Sequence, residues 1–241
     1  MIVAQNLIKR FGDQLVLKDL NLEIVDGETM VVMGRSGCGK SVFLKIIIGL
    51  LRPDSGTVLV DGRDVTKVRY KELKEVRKRF GMVFQGAALF DSLTVQENVG
   101  LALRKHTRLP EVAVMDRIEE CLRMVELEGT EDKYPAELSG GMQKRVGLAR
   151  AIAMNPQYIL YDEPTSGLDP ITARSINKLI VDLQSRLSTT SIVVTHDIDS
   201  AFYVGDRVAM LYDGVIRFVG TAEAFRTVED EIIRQFIDRS E

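Results

Sequence analysis

Apolar positions follow two rhythms along the chain. The first 30 residues alternate short apolar runs with turn residues: Gly12-Asp13 precedes Val16-Leu17, and Asp26-Gly27 punctuates the next run. Thr29 to Met33 is a short apolar run that predicts a buried strand. A glycine-rich turn follows it, and Lys40 to Leu51 then predicts a helix. Ser55-Gly56 and Asp61-Gly62 bracket Thr57 to Val60, the pattern of a hairpin strand. Between about Leu89 and Asn155 the spacing becomes helical, as in Val114, Ile118, Leu122 and Val125, with charges on the remaining faces. Apolar strands return at Tyr158 to Tyr161, Ile192 to Thr195 and Val208 to Tyr212, and a helical stretch from Ile171 to Leu187 separates the first two. Strand-helix-strand alternation predicts a parallel sheet wrapped by helices. The expected architecture is α/β: a βα core in two sequence segments, an antiparallel sheet near the N-terminus and an inserted helical lobe.

Bulk properties narrow the class. With 241 residues, 45% hydrophobic and 28% charged, the chain can bury a sizeable core as one large domain or a domain carrying an inserted lobe. A net charge of -3 offers no global basic field for nucleic acid. No run approaches the about 18 to 20 apolar residues that a membrane-spanning helix needs. Val42 to Leu51 is broken by Lys45 and Gly49. Met1 to Arg10 lacks the basic-then-apolar layout of a secretory signal. Cys38 and Cys121 lie far apart and suggest no disulfide framework. A reduced, cytosolic globular protein is expected.

Gly34-Arg35-Ser36-Gly37-Cys38-Gly39-Lys40-Ser41 fits G-x-x-x-x-G-K-[ST] without a mismatch. Such glycines let the backbone curl until successive N–H groups face phosphate oxygens, and the following helix adds its positive dipole end. Lys40 is expected to reach the β- and γ-phosphates and the Ser41 hydroxyl to ligate Mg²⁺. The motif implies nucleotide binding and leaves kinase, GTPase and ATPase open.

Tyr158-Ile159-Leu160-Tyr161 ends in Asp162-Glu163, two carboxylates at a strand end. Asp162 suits Mg²⁺, directly or through water, and Glu163 suits a general base for an attacking water, a role worth about 10²–10⁴ in rate. Alone, the pair reads equally well as a solvated acidic strand end; beside a phosphate loop the catalytic reading is favoured. Leu138-Ser139-Gly140-Gly141-Met142-Gln143 precedes a basic amphipathic helix through Arg145, Leu148, Arg150 and Ile152. Ser139 is a good N-cap, and Gly140-Gly141 leaves backbone N–H groups exposed at the helix start, an anion site without a lysine beside it.

That element resembles the signature sequence of ABC transporter ATPases, and further markers follow in that family's order. Gln85, after Met82 to Phe84, matches the glutamine that senses Mg²⁺ and water. Ser166-Gly167-Leu168-Asp169 matches the loop that touches the partner subunit, and His196 the switch histidine on the γ-phosphate. Phe11, in Lys9-Arg10-Phe11-Gly12, matches the aromatic that stacks on adenine, where tyrosine is more usual.

The resemblance implies a P-loop NTPase with a RecA-like core (1–87 and 156–220, with the antiparallel β-subdomain), a helical signature subdomain (88–155) and a C-terminal helical tail (221–241). It also implies a homodimer. One chain carries one phosphate loop and one signature, so Lys40, Ser41, Gln85, Asp162, Glu163 and His196 would meet the partner copy's Ser139 and Gly141 across ATP and Mg²⁺. Gly86 to Val95 would border a groove for a short helix of an integral membrane permease, although Leu89 and Phe90 fit local packing equally well. The stretch from Gln85 to Val99 looks most like ATPases of bacterial Mla/Mce-type phospholipid transporters, implying a lipid-binding Mce-type protein in the complex and a place on the cytoplasmic face of the inner membrane. Amino-acid and lipoprotein importers are the alternatives in cargo, and DNA-repair or ribosome-associated ABC ATPases the alternatives in class. The short stretch after Gly220 argues against a built-in regulatory domain, and Thr221 to Glu241 reads as a terminal helix.

Overall fold

A computed structural model of the chain describes residues 1–238. The chain opens with strands β1 (Ile2–Phe11), β2 (Gln14–Ile24) and β3 (Thr29–Met33), then helix α1 (Lys40–Ile47), strands β4 (Ser55–Val60) and β5 (Arg63–Asp64), and helix α2 (Tyr70–Arg77). Strand β6 (Phe80–Val83) leads into helices α3 (Val95–His106), α4 (Glu111–Met124) and α5 (Gly140–Ile152), strand β7 (Tyr158–Asp162) and helix α6 (Pro170–Leu187). The remainder is β8 (Thr190–Thr195), α7 (Ile198–Val204), β9 (Arg207–Tyr212), β10 (Val215–Gly220), α8 (Ala222–Thr227) and α9 (Glu231–Asp238). Two compact units result, Met1–Arg77 with the chain from Thr190 onward, and Lys78–Thr189.

In the first unit an antiparallel sheet has the order β2-β1-β4-β5. The Asp61-Gly62 turn that joins β4 to β5 has both residues at positive φ, 48° and 76°, the backbone of a tight hairpin whose twist matches its strands. Strand β3 pairs in parallel with β8 on one side and β9 on the other, and β10 runs antiparallel to β9. Every residue of β3 and β8 is buried, which is why both read as continuous apolar runs rather than alternating ones. Helix α2 was not among the expected elements; Tyr70, Leu73 and Val76 fall at three-residue spacing along it, but only Val76 is buried.

In the second unit β6 and β7 pair in parallel from Phe80 opposite Tyr158 to Val83 opposite Tyr161. Helix α4 buries Val114, Ile118 and Leu122, as their spacing predicts. Thr94 and Glu97 form a reciprocal capping box at the start of α3. The carboxylate of Asp169 caps α6, with Pro170 at the first helical position.

Two expectations are corrected. The first helix stops at Ile47, short of Leu51, because Gly49 turns to φ 64° and closes the last turn onto the Ile46 carbonyl at 2.9 Å. The terminal stretch is two short helices rather than one: Thr221 caps α8, Val228 is extended, and the Asp230 carboxylate accepts the N–H groups of Ile232 and Ile233 at the start of α9. Residues 239–241 of that expectation lie outside the described residues.

Candidate functional site

The first unit holds the glycine loop. It leaves β3 at Gly34 and enters α1 at Lys40. A Cβ on Gly34 would sit 2.4 Å from the Leu211 carbonyl oxygen and 2.7 Å from Cys38 Sγ, so no side chain fits there. Gly39 adopts φ 109° as the residue before α1 and caps it with no side chain, which leaves the N–H groups of the first turn to face the loop. Lys40 is 6% exposed, and its ammonium donates to the carbonyls of Gly34 at 2.8 Å and Arg35 at 3.2 Å. Thus the lysine of the motif is held inside the curl of its own backbone. Arg35, Ser36 and Gly37 are exposed at the tip, while Cys38 and Ser41 are half-buried.

Phe11 closes β1 with its ring 47% exposed, and Lys9 lies with its ammonium 5.3 Å from the ring centroid. A flat apolar face is therefore open to solvent at the end of a strand, an arrangement suited to stacking on a base. His196 is exposed immediately after β8, at the start of the Asp197-capped helix α7.

The second unit holds the remaining residues. Asp162 ends β7 and Glu163 follows it, both 7% exposed. Glu163 sits at φ 49°, a left-handed conformation that costs a non-glycine residue roughly 1–2 kcal/mol. Gln85 is exposed beyond β6, and its side-chain amide donates to Ser166 Oγ at 3.3 Å. Ser139 caps α5 by accepting the Met142 N–H at 3.3 Å. Gly140 is exposed, and a Cβ on Gly141 would lie 2.7 Å from the Thr172 side chain. Asp169 receives the N–H groups of Ile171 and Thr172 at 3.0 Å each and the Thr172 hydroxyl at 2.5 Å. These donors, the Thr172 hydroxyl first, hold its carboxyl below the usual carboxylate range.

Sequence reasoning passed over Lys144. The helix pattern placed it among charges on a basic face, yet it is 6% exposed, and its ammonium donates to the carbonyls of Gln85 and, at 3.4 Å, Glu163. Burial draws the Lys144 ammonium below the usual lysine range, and the neighbouring charges of Glu163 and Asp162 draw it back up. A lysine inside a basic helix gives no warning that it points inward, so no sequence signal could have found it.

Among the described residues no three or more His, Cys, Asp and Glu side chains form a metal-binding cluster. Mg²⁺ does not require one, because it keeps several waters and takes one or two protein carboxylates with substrate phosphates. Ser41 in the first unit, and Gln85 and Asp162 in the second, each offer an oxygen donor of the kind that cation takes. Also among the described residues, no helix is long and apolar enough to cross a membrane.

A glycine loop curled around its own lysine and an apolar strand tipped by two carboxylates define the class of P-loop ATPase cassettes. The family described as ABC transporter matches residues 17–166, and the chain belongs to that family. It is 43% identical over 237 residues to the probable ribonucleotide transport ATP-binding protein mkl of Mycobacterium leprae, covering 98% of this chain and 68% of that protein. It is 40% identical to the intermembrane phospholipid transport system ATP-binding protein MlaF of Haemophilus influenzae, covering 98% of this chain and 90% of MlaF. Among solved structures it is similar to the dimeric ATP-binding cassette MJ0796 in a post-hydrolysis state bound to ADP and Pi, with a TM-score of 0.85 and 38% identity over 92% of this chain and 99% of that one. CbiO1 of Clostridium perfringens matches with a TM-score of 0.86 and 33% identity over 99% and 94%. The chain is an ATP-binding subunit of an ABC transporter, and it hydrolyses ATP.

Proposed function

We propose that the chain works as a homodimer on the cytoplasmic face of the inner membrane and drives an integral permease that moves phospholipid between bacterial membranes. The observation that carries the cargo is the likeness to MlaF, which extends over 98% of this chain and 90% of that protein. The dimer is supported by the likeness to a dimeric cassette and by the presence of one phosphate loop and one Ser139 element per chain. A lipid-binding Mce-type protein in the same complex follows from the phospholipid reading.

The residue roles follow from the chemistry each side chain offers. Phe11 stacks on adenine. The backbone N–H groups from Gly34 to Ser41 cradle the phosphates, with Lys40 exchanging its loop carbonyls for phosphate oxygens. Ser41, Gln85 and Asp162 would hold Mg²⁺, which when bound would supply neutralisation of phosphate charge. Glu163 takes the proton of the attacking water, and His196 orients the γ-phosphate. Ser139, Gly140 and Gly141 of the partner copy supply N–H donors to the same γ-phosphate, so ATP joins two positively polarised loops and hydrolysis releases them. Asp169 sits in the loop that meets the partner copy. Catalysis of this kind depends on position and charge rather than on covalent intermediates.

The test is capture of the tagged chain from detergent-solubilised membranes, with mass spectrometry of its protein partners and bound lipid. A multi-span permease recovered with an Mce-type protein and phospholipid supports the proposal. The 43% identity to the mycobacterial ribonucleotide transport proteins makes a permease that retains nucleotides the specific competing result, and its recovery would discard the phospholipid cargo while keeping the motor.

A further inference from the structure

One face of α5 grips the loop that carries Gln85. Lys144, Gly147 and Arg150 follow one another at three-residue spacing and so share a helix face. Lys144 donates to the Gln85 carbonyl. At Gly147 a Cβ would lie 3.5 Å from the Ala87 Cβ, an ordinary contact distance, so the loop passes about one methyl group from the helix there. Arg150 spans two successive peptides, donating to the Ala87 carbonyl at 2.6 Å and the Ala88 carbonyl at 2.7 Å. Three hydrogen bonds from one helix face thus reach three of the four residues from 85 to 88.

The loop needs such a hold. Ala87 and Ala88 both adopt left-handed backbone, φ 58° and 47°, and neither is glycine. Two consecutive alanines in that region are unfavourable on their own and persist only where surrounding structure over-determines them. The fork of an arginine suits the task because its donors lie in a fixed plane and reach two carbonyls at once. The same helix begins at Ser139, and Lys144 also reaches the carbonyl of Glu163 at 3.4 Å.

We infer that Lys144 and Arg150 are positioning residues, a carbonyl clamp that fixes the strained Gln85 loop to the Ser139 helix so that the two move as one piece during turnover. The inference rests on the proposed role of Gln85 at Mg²⁺ and the attacking water, and it explains how that side chain keeps its place at the end of an otherwise unfavourable turn. Both act through loop backbone rather than on the Gln85 side chain itself, Lys144 at the Gln85 carbonyl and Arg150 at the carbonyls of Ala87 and Ala88.

Arg150→Met and Lys144→Met test it through two readouts, each against the wild-type chain. The first is steady-state ATP hydrolysis: kcat falls roughly 10- to 100-fold, the scale set by lost hydrogen bonds from a charged donor, while KM for ATP stays within about twofold because the phosphate loop is untouched. The second is amide hydrogen exchange of the purified chain without nucleotide. The Ala87 N–H, bonded to the Phe84 carbonyl at 2.9 Å, exchanges faster in both variants while the amides of α4 keep their protection. Adding Ala88→Gly to Arg150→Met recovers part of kcat, because glycine removes the left-handed penalty. Arg150→Lys, with one cation but no fork, falls between wild type and Arg150→Met. Wild-type exchange at Ala87 in Arg150→Met overturns the clamp, as does a variant that loses thermal stability with kcat intact. A Gln85→Ala chain that hydrolyses ATP at the wild-type rate removes the proposed role of Gln85, and the exchange measurement then still decides whether the clamp exists.

Discussion

Asn98 holds Phe90 at both ends of one residue: its side-chain carbonyl accepts the Phe90 N–H at 2.8 Å, and its amide donates to the Phe90 carbonyl at 3.1 Å. The same amide also reaches the carbonyls of Leu93 and Thr94 at 3.0 Å each. Asn98 is fully buried in α3, so a single side chain organises the turn between the Gln85 loop and the helix. Replacing it takes the side-chain partner from the Phe90 N–H and the Leu93 carbonyl, while the Phe90 and Thr94 carbonyls keep the backbone N–H groups of Leu93 and Asn98. Asn98→Ala is expected to destabilise the fold by about 2–4 kcal/mol, measured as a lower denaturant midpoint. A change below about 0.5 kcal/mol would mean that water replaces the side chain at little cost.

Glu163→Gln should keep ATP binding, abolish turnover and trap an ATP-dependent dimer, because the amide cannot take a proton from water and no longer repels the γ-phosphate. Sizing chromatography with and without ATP, alongside phosphate release, checks both halves. Hydrolysis at the wild-type rate would remove Glu163 from the mechanism.

The two thiols should separate in reactivity. Cys121 is buried in α4, and burial pushes its thiol up to about 11. Cys38 is half-buried in the glycine loop. At pH about 8, a pH below the raised Cys121 value, a maleimide should label Cys38 and spare Cys121, and saturating ATP should slow the Cys38 reaction by covering the loop. Equal labelling with and without ATP would argue that nucleotide does not seat against Gly34–Ser41.

Asp169 gives a pH dependence of defined sign. Its carboxyl is held below the usual range by the Thr172 hydroxyl and two backbone N–H groups. A depressed folded value means that its contribution is present above the unfolded carboxylate value of about 3.9 and is lost as pH falls through the folded one. The stability difference between wild type and Asp169→Ala, from denaturant unfolding, should therefore shrink as pH drops from about 6 towards 3. A difference that grows on acidification would contradict the capping geometry.

Features that depend on neighbours in sequence were legible before any fold was known. The glycine loop is one contiguous run whose backbone must curl, and it does so at Gly34 and Gly39. The cap at Ser139, the turn at Asp61-Gly62 and the buried runs of β3 and β8 follow equally from local rules, because each satisfies its hydrogen bonds or its apolar face within a few residues. Where the terminal stretch divides was less clear, since the break falls at an extended Val228 and Asp230 then starts the next helix.

Only tertiary structure decided which charges turn inward. Lys144 and Arg150 belong to a helix whose sequence reads as a solvated basic face, yet both spend their donors on carbonyls about 60 residues away in the Gln85 loop. The left-handed backbone of Ala87, Ala88 and Glu163 was equally hidden, since nothing in an alanine or a glutamate announces it. The chain's own sequence determines the chemistry available, as motifs and caps act over single turns. The packing of α5 against the Gln85 loop determines how that chemistry is held, because strained backbone persists only where distant partners outweigh its cost.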